Sequence, residues 1–279
     1  MKKRNLATHG TPLAAGQFFG TTRGQLHTED FVVSAVRHGS ARVEPTHVHA
    51  NPFLSMLIGG GYREWFAGGH WDARPLGMVL RPQDAEHRDE IGPGGASFLC
   101  VDVGRDFWHA LAGSGIRLER RAFEDRPMSC TALRLLWELR EKRPGWRAVA
   151  EALIVELADE YLMADRRIGR REPAWLARAR NYLQSGLADA SLRRLAADLD
   201  LHPVHVSRMF KRHAGLTPSQ YLRQQRVLGA ARTVLETRES LAAVAERHGF
   251  ADQSHLTREL RRRTHWTPGG LRCACEQLR

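Results

Sequence analysis

Two short stretches of the 279-residue chain carry side chains whose types and spacing could read nucleic-acid bases. In the first, Val204, Ser207, Arg208 and Lys211 recur at i, i+3, i+4 and i+7, the spacing of one helical face. In the second, Gln253, Ser254, Thr257, Arg258 and Arg261 share a face in the same way. An arginine fork matches the O6 and N7 of guanine, and glutamine can pair adenine in the same bidentate manner. Arg208 and Arg258 hold matching positions in the two stretches. The competing use of either arginine is a surface ion pair. Lys211, Arg212, Arg261, Arg262 and Arg263 suit phosphate oxygens, which give affinity without base selectivity.

A third group has different chemistry. His47-Val48-His49 and His87 bring three imidazoles into the N-terminal half, where Trp65 and Arg81 are further polar or aromatic candidates. His47, His49, Trp65, Arg81 and His87 are candidate pocket residues, with structural or ligand-lining roles. A divalent ion on His47, His49 and His87 is the less favoured use of the same histidines. Cys273-Ala274-Cys275 lacks a second cysteine pair nearby and makes a poor zinc site. No acid/base constellation stands out, so neither catalysis nor a cofactor is expected.

These groups need elements to position them. Ser191 can cap a helix over Leu192 to Leu199, Asp200-Leu201-His202 a turn, and Pro203 the first position of a helix ended by Gly215. Thr217-Pro218 opens a longer helix to about Glu236, with Tyr221, Leu228, Ala231 and Leu235 as its stripe. Ser240 caps the next helix, His248-Gly249-Phe250-Ala251 turns the chain, and Asp252 caps Gln253 to Arg263. Two helix-turn-helix units joined by a rod follow from this reading. An opening helix carries Trp175, Leu176, Ala179, Tyr182 and Leu183 on one face.

The first ~110 residues differ, with short strand-sized runs over Phe31–Val36, Phe53–Ile58, Met78–Leu80 and Phe98–Val101. Gly59-Gly60-Gly61, Gly68-Gly69 and Gly92-Pro93-Gly94-Gly95 read as turns between them, and the pattern predicts a small barrel or jelly roll. From about Thr131 the periodicity becomes helical, with Val149, Leu153, Leu157 and Tyr161 as a stripe, and Asp165 to Glu172 as a charged linker. The expected fold is α+β: residues 1–125 a β-barrel, 126–172 a helical linker whose stripe packs either on its own barrel or, as a dimerisation segment, on a second copy, and 173–279 an all-α domain.

Charge follows this division. Residues 173–279 hold 18 Lys/Arg against 9 Asp/Glu, whereas residues 1–172 hold 24 against 22. The positive field therefore sits on the helical C-terminal part, and a field of that sign attracts polyanions. No apolar run reaches the ~18 residues of a membrane span, and the segment after Met1-Lys2-Lys3-Arg4 is too polar for a signal peptide. A cytoplasmic location is expected.

Over residues 173–272 the sequence resembles the AraC/XylS family of transcription regulators. Gly249-Phe250-Ala251-Asp252-Gln253-Ser254-His255-Leu256-Thr257-Arg258 is close to the signature of that family's second helix-turn-helix unit. Val206-Ser207-Arg208-Met209-Phe210-Lys211 with Gly215-Leu216-Thr217-Pro218 matches the first. Leu256, Leu260, His265 and Leu271 depart from the family's usual Phe, Phe, Gly and Tyr. The resemblance implies that Val204, Ser207, Arg208, Gln253, Ser254, Thr257 and Arg258 face bases in the major groove of double-stranded promoter DNA. It also implies that the N-terminal barrel binds a small-molecule effector, with activation as the commoner mode; the chain is expected to bind DNA as a monomer or a homodimer and to meet RNA polymerase. The histidine motifs resemble those of the cupin superfamily, whose barrels hold a metal with three His and a Glu. The glutamate is absent, Phe53 and Leu54 standing in its place.

Overall fold

The computed structural model describes residues 10–113, 119–124, 126–168, 174–185 and 192–277. The chain divides into two compact units, residues 1–124 with 275–279, and residues 125–274.

The first unit is built on a ten-stranded sheet: β1 (Thr11–Leu13), β2 (Thr21–His27), β3 (Phe31–His38), β4 (Arg42–Val43), β5 (His47–His49), β6 (Phe53–Phe66), β7 (Gly69–Ala73), β8 (Met78–Arg81), β9 (His87–Val103) and β10 (Arg121–Phe123). Helix α1 (Arg105–Gly113) follows β9. The long strands β6 and β9 form the spine, paired antiparallel from Phe53↔Asp102 to Phe66↔His87. Along its other edge β9 meets β5 at His87, β4 at Glu90 and Ile91, and β3 from Ala96 to Val103. The main hydrogen-bonded path runs β1-β5-β9-β6-β8-β10. A barrel requires the last strand to pair with the first. Among the described residues the path ends at two three-residue strands, β1 and β10, so the expected closed barrel is not formed.

Two glycine clusters expected to be turns lie inside the spine instead. Gly59 to Gly61 belong to β6 and Gly92 to Gly95 to β9, where the register shifts. At Gly60 φ is +97°, and a Cβ there would overlap the Gly95 carbonyl oxygen. The glycines let two backbones approach at an irregular step in the ladder, so two long strands replace four short ones. Gly68-Gly69 does lie at a hairpin, between β6 and β7.

The second unit is helical: α2 (Met128–Glu141), α3 (Trp146–Ile168), α4 (Ala174–Ser185), α5 (Leu192–Asp198), α6 (Pro203–Ala214), α7 (Pro218–Glu236), α8 (Leu241–Arg247) and α9 (Gln253–Thr264). A last helix, α10 (Pro268–Gln277), runs across the division between units. The stripe of α3 buries Leu153, Ile154, Leu157 and Tyr161, while Val149 is 41% exposed. This helix packs on α2, which also packs on α9. Helix α3 continues to Ile168, into the segment expected to be a linker. The rest of that linker and the cap expected at Ser191 lie outside the described residues.

Replacing Gly60 by alanine should destabilise the first unit by roughly 1–3 kcal/mol from backbone strain alone, before the clash with Gly95 is counted. Urea unfolding of wild type and Gly60→Ala, followed by circular dichroism, checks this.

Candidate nucleic-acid interface and the histidine cavity

Helices α5 and α6 form the first helix-turn-helix. Asp200 takes a left-handed conformation in the turn (φ +52°), and the His202 ring accepts from the Val204 N–H at 3.3 Å to cap α6. Gly215, at φ +78°, closes α6 with its N–H on the Lys211 carbonyl. The apolar face is then buried: Val206 and Phe210 are fully enclosed with Leu176, Ala179, Leu183, Leu195 and Ala196. Tyr221 packs edge-on to Phe210, with ring centroids 5.5 Å apart. With this face anchored, Val204 and Arg208 are exposed and Ser207 half-buried on the opposite side.

Helices α8 and α9 repeat the arrangement. The Ser240 hydroxyl accepts from the Ala243 N–H at 3.2 Å, and the Asp252 carboxylate from the His255 N–H at 2.6 Å. Leu256 and Leu260 are completely buried, so the positions that depart from the usual Phe still fill the core. The buried His248 in the turn donates from Nε2 to the Thr233 hydroxyl at 2.9 Å, and that hydroxyl donates to the Gly229 carbonyl. Burial, then Arg247 and Arg232, lowers the His248 pKa to about 4, so the ring is neutral at pH 7. This contact ties the second turn to α7, which packs against α4, α6, α8 and α9. Thr217 and Gln220 form a reciprocal capping box at the start of α7.

His265, where the family usually has Gly, ends α9 in a left-handed conformation (φ +65°). The next residue, Trp266, donates from Nε1 to the Leu133 carbonyl of α2 at 2.8 Å. The indole thus fastens α2 to the end of the second helix-turn-helix.

Gln253, Ser254 and Arg258 are exposed, and neither Arg208 nor Arg258 makes an ion pair among the described residues. Thr257 is half-buried, and its hydroxyl donates to the Gln253 carbonyl at 2.9 Å, leaving a methyl and acceptor lone pairs. The basic residues divide. Lys211, Arg212 and Arg261 are exposed. Arg262 bonds Glu259 at 2.7 Å. Arg263 is partly buried, with Nε out of solvent and no partner for it, and lies close enough to Cys130 of α2 to interact electrostatically. Helical spacing could not show that α2 covers this edge of α9.

The structure brings His47, His49, Arg81 and His87 to one cavity of about 30 Å³ in the first unit, with Phe18, Phe53, Tyr62 and Asp89 also lining it. Trp65 is not brought there. Tyr62 and Glu64 are buried and strand alternation turns Trp65 away, where its indole donates to Glu90 at 3.1 Å. Arg81 is already engaged, donating to Glu64 (2.7 and 3.1 Å), Ser55 (2.8 Å) and the Tyr62 oxygen (2.9 Å). Burial would raise the Glu64 pKa, but Arg81 and Arg120 outweigh it and hold the carboxylate at about 2.

The histidine donor atoms lie within 4.8 Å of one another, and all three residues are buried. A backbone carbonyl can only accept, so His47 donates from Nδ1 to the Pro45 carbonyl (2.9 Å) and His87 from Nδ1 to the Ala85 carbonyl (3.0 Å). In the neutral rings Nε2 then carries the lone pair. His49 Nδ1 is buried with no partner. Burial, followed by the other two imidazoles and Arg81, pushes the His49 pKa down to about 2. Burial and Arg81 push His87 to about 4 against the pull of Asp89. Two of the three rings are thus oriented from behind by backbone carbonyls.

Comparison with known proteins bears on the second unit. The family described as "Helix-turn-helix domain" matches residues 195–273. The transcriptional activator RhaS of Enterobacter sp. (strain 638) is 38% identical over 74 residues, 26% of each chain. This chain thus spans about a quarter of the length of the curated relatives it matches. The DNA-binding domain of AdpA, solved with a target DNA, is 30% identical over 37% of this chain and 95% of that one (TM-score 0.36). The C-terminal domain of AraT, a response regulator from Geobacillus stearothermophilus, is 28% identical over 38% and 88% (TM-score 0.36). Residues 195–273 form a helix-turn-helix domain similar to that of the RhaS activators. The matched residues take in nearly all of the two capped helix pairs described above, and the left-handed cap accommodates His265 at the end of the second.

Phe210→Ala should cost about 3–5 kcal/mol by emptying the centre of the first helix-turn-helix. Arg208→Ala, on the exposed face, should stay within about 0.5 kcal/mol. Denaturant titration of the two variants measures both.

Proposed function

We propose that this chain is a sequence-specific DNA-binding transcription regulator whose N-terminal unit senses a ligand. The observation that carries the reading is the pair of capped helices, α6 and α9. Each is pinned by a fully buried apolar face, and each presents an exposed arginine with no ion pair among the described residues. Major-groove readers need this arrangement, and two of them on one face of a duplex are spaced by a helical turn, roughly 34 Å. The assigned base-facing residues are Val204, Ser207, Arg208, Gln253, Ser254, Thr257 and Arg258. The match to RhaS, a transcriptional activator, and the DNA complex of AdpA support the class of partner.

Activation, a homodimer and contact with RNA polymerase belong to this reading through the family resemblance. So does the N-terminal unit as a cupin-like sensor, with residues 126–172 as the segment between sensor and reading heads. None of the helices among the described residues is long and apolar enough to cross a membrane. The rival reading, a metal-dependent enzyme fused to a DNA-binding domain, has little to support it. The cavity, at about 30 Å³, has room for little beyond an ion or a water, and Arg81 is already engaged.

Selection of bound fragments from random duplex DNA by the full chain should return a preferred sequence, and recovery of none overturns the proposal. On that sequence, Arg258→Ala should relax preference at one base pair, a loss of about 1–3 kcal/mol of discrimination. Arg261→Ala should weaken all sequences alike and make the salt dependence shallower. An equal loss at every position for Arg258→Ala would remove it from the base-reading set.

A further inference from the structure

We propose that a cleft between the two helix-turn-helix pairs of the second unit binds a small organic anion on Arg223, Arg226 and Arg262. The ligand class is an apolar body that carries one carboxylate, sulfonate or phosphate. The site goes beyond the DNA reading and stands apart from it; only its effect on DNA binding rests on that reading.

The cleft measures about 700 Å³, a volume usual for small-molecule sites. Its lining divides by chemistry. Leu183 of α4, Leu192 of α5, Leu222 of α7 and Phe250 of the second turn supply an apolar part. Arg223 and Arg226 of α7 and Arg262 of α9 supply positive charge. Among the described residues, Glu259 is the one carboxylate in the lining. Burial would raise its pKa, but the bond from Arg262 at 2.7 Å, with Arg223 and Arg263 nearby, outweighs this and lowers it. Three arginines therefore face one carboxylate, and an anion would supply the missing charge.

Two of these arginines are placed to receive it. Arg223 is exposed and makes no hydrogen bond or ion pair among the described residues. Arg226 is half-buried, and burial lowers its pKa. A guanidinium that has already shed part of its water loses less when a ligand arrives. Neutral donors complete the rim. The Ala251 N–H donates to His255 Nδ1 at 3.2 Å, so Nε2 of the neutral ring carries the hydrogen. Ser219 lies in the first turn of α7, where N–H groups lack intrahelical partners and the helix dipole is positive.

The cleft is not the base-reading face. None of the assigned base-facing residues lines it. On α9, His255, Glu259 and Arg262 recur at i, i+4 and i+7, a face other than that of Gln253, Ser254, Thr257 and Arg258. These arginines are thus open to an anion other than the bases and phosphates of the groove being read. A ligand held on α7 and α9 against Leu183 and Leu192 would bridge the two helix pairs and fix how they stand to one another. Both heads must meet one duplex at a set spacing, so occupancy would shift DNA affinity.

The test uses the full chain without DNA and anilinonaphthalene sulfonate as the probe. Its fluorescence should rise to saturation at one equivalent. Naphthyl phosphate should displace it, whereas naphthol, which has the same rings and no charge at neutral pH, should not. Arg223→Glu should weaken binding at least about 10-fold and leave thermal unfolding by circular dichroism unchanged. Arg226→Gln should weaken it comparably, and Arg226→Lys less. Absence of saturable binding that naphthyl phosphate displaces overturns the site. So does unchanged affinity in Arg223→Glu and Arg226→Gln. Complete displacement of the probe by duplex DNA of random sequence would give these arginines to the phosphate backbone and overturn a small-molecule occupant. Probe binding is read without DNA, so it can fail while sequence selection succeeds, and the reverse.

Discussion

Burial of one face of a short helix decides what its other face can do, and the second unit depends on that constraint throughout. Phe210 in α6 and Leu256 with Leu260 in α9 are enclosed completely. Rotating either helix would expose those side chains at roughly 1.5–3 kcal/mol each. The outward set is thereby fixed without any contact to DNA. Caps at His202, Thr217, Ser240 and Asp252 add about 1 kcal/mol each and set where the helices begin. The free arginines are left on a rigid support, which suits recognition that depends on the angle of a guanidinium fork.

The sheet unit meets a different constraint. It buries ionised groups, and those must be paired. Glu64 is fully enclosed and bonded to both Arg81 and Arg120. Such a network contributes little net stability against an apolar replacement, yet losing one partner leaves a buried charge and costs about 3–5 kcal/mol. Its product is orientation, since Arg81 positions Tyr62 and Tyr62 positions Asp89. The neutral histidines beside it follow from the same enclosure, because burial disfavours the imidazolium.

Helical features were legible because they depend on neighbours three or four residues apart. Stripe, cap and stop residues around Pro203, Gly215, Thr217 and Asp252 were read from order alone. The strand segments were recognised, but glycine runs at Gly59–Gly61 and Gly92–Gly95 look the same whether they turn the chain or bend it. Only the pairing of β6 with β9 distinguishes the two. The roles of Arg262 and Arg263 escaped for a related reason: spacing gives the helix face but not the Glu259 carboxylate or the covering α2.

The sequence by itself determined two capped helix pairs joined by a rod, each with a polar, basic outer face, since periodicity and turn chemistry are local properties. Tertiary structure decided what meets across distance. It closed Arg81 on Glu64, turned Trp65 away from the cavity, seated Trp266 on α2, and brought Asp89 beside His47 across strands 42 residues apart in sequence. The physical reason is that side-chain partners across a sheet or between helices are set by strand register and packing, and neither can be read from the spacing of residues along the chain.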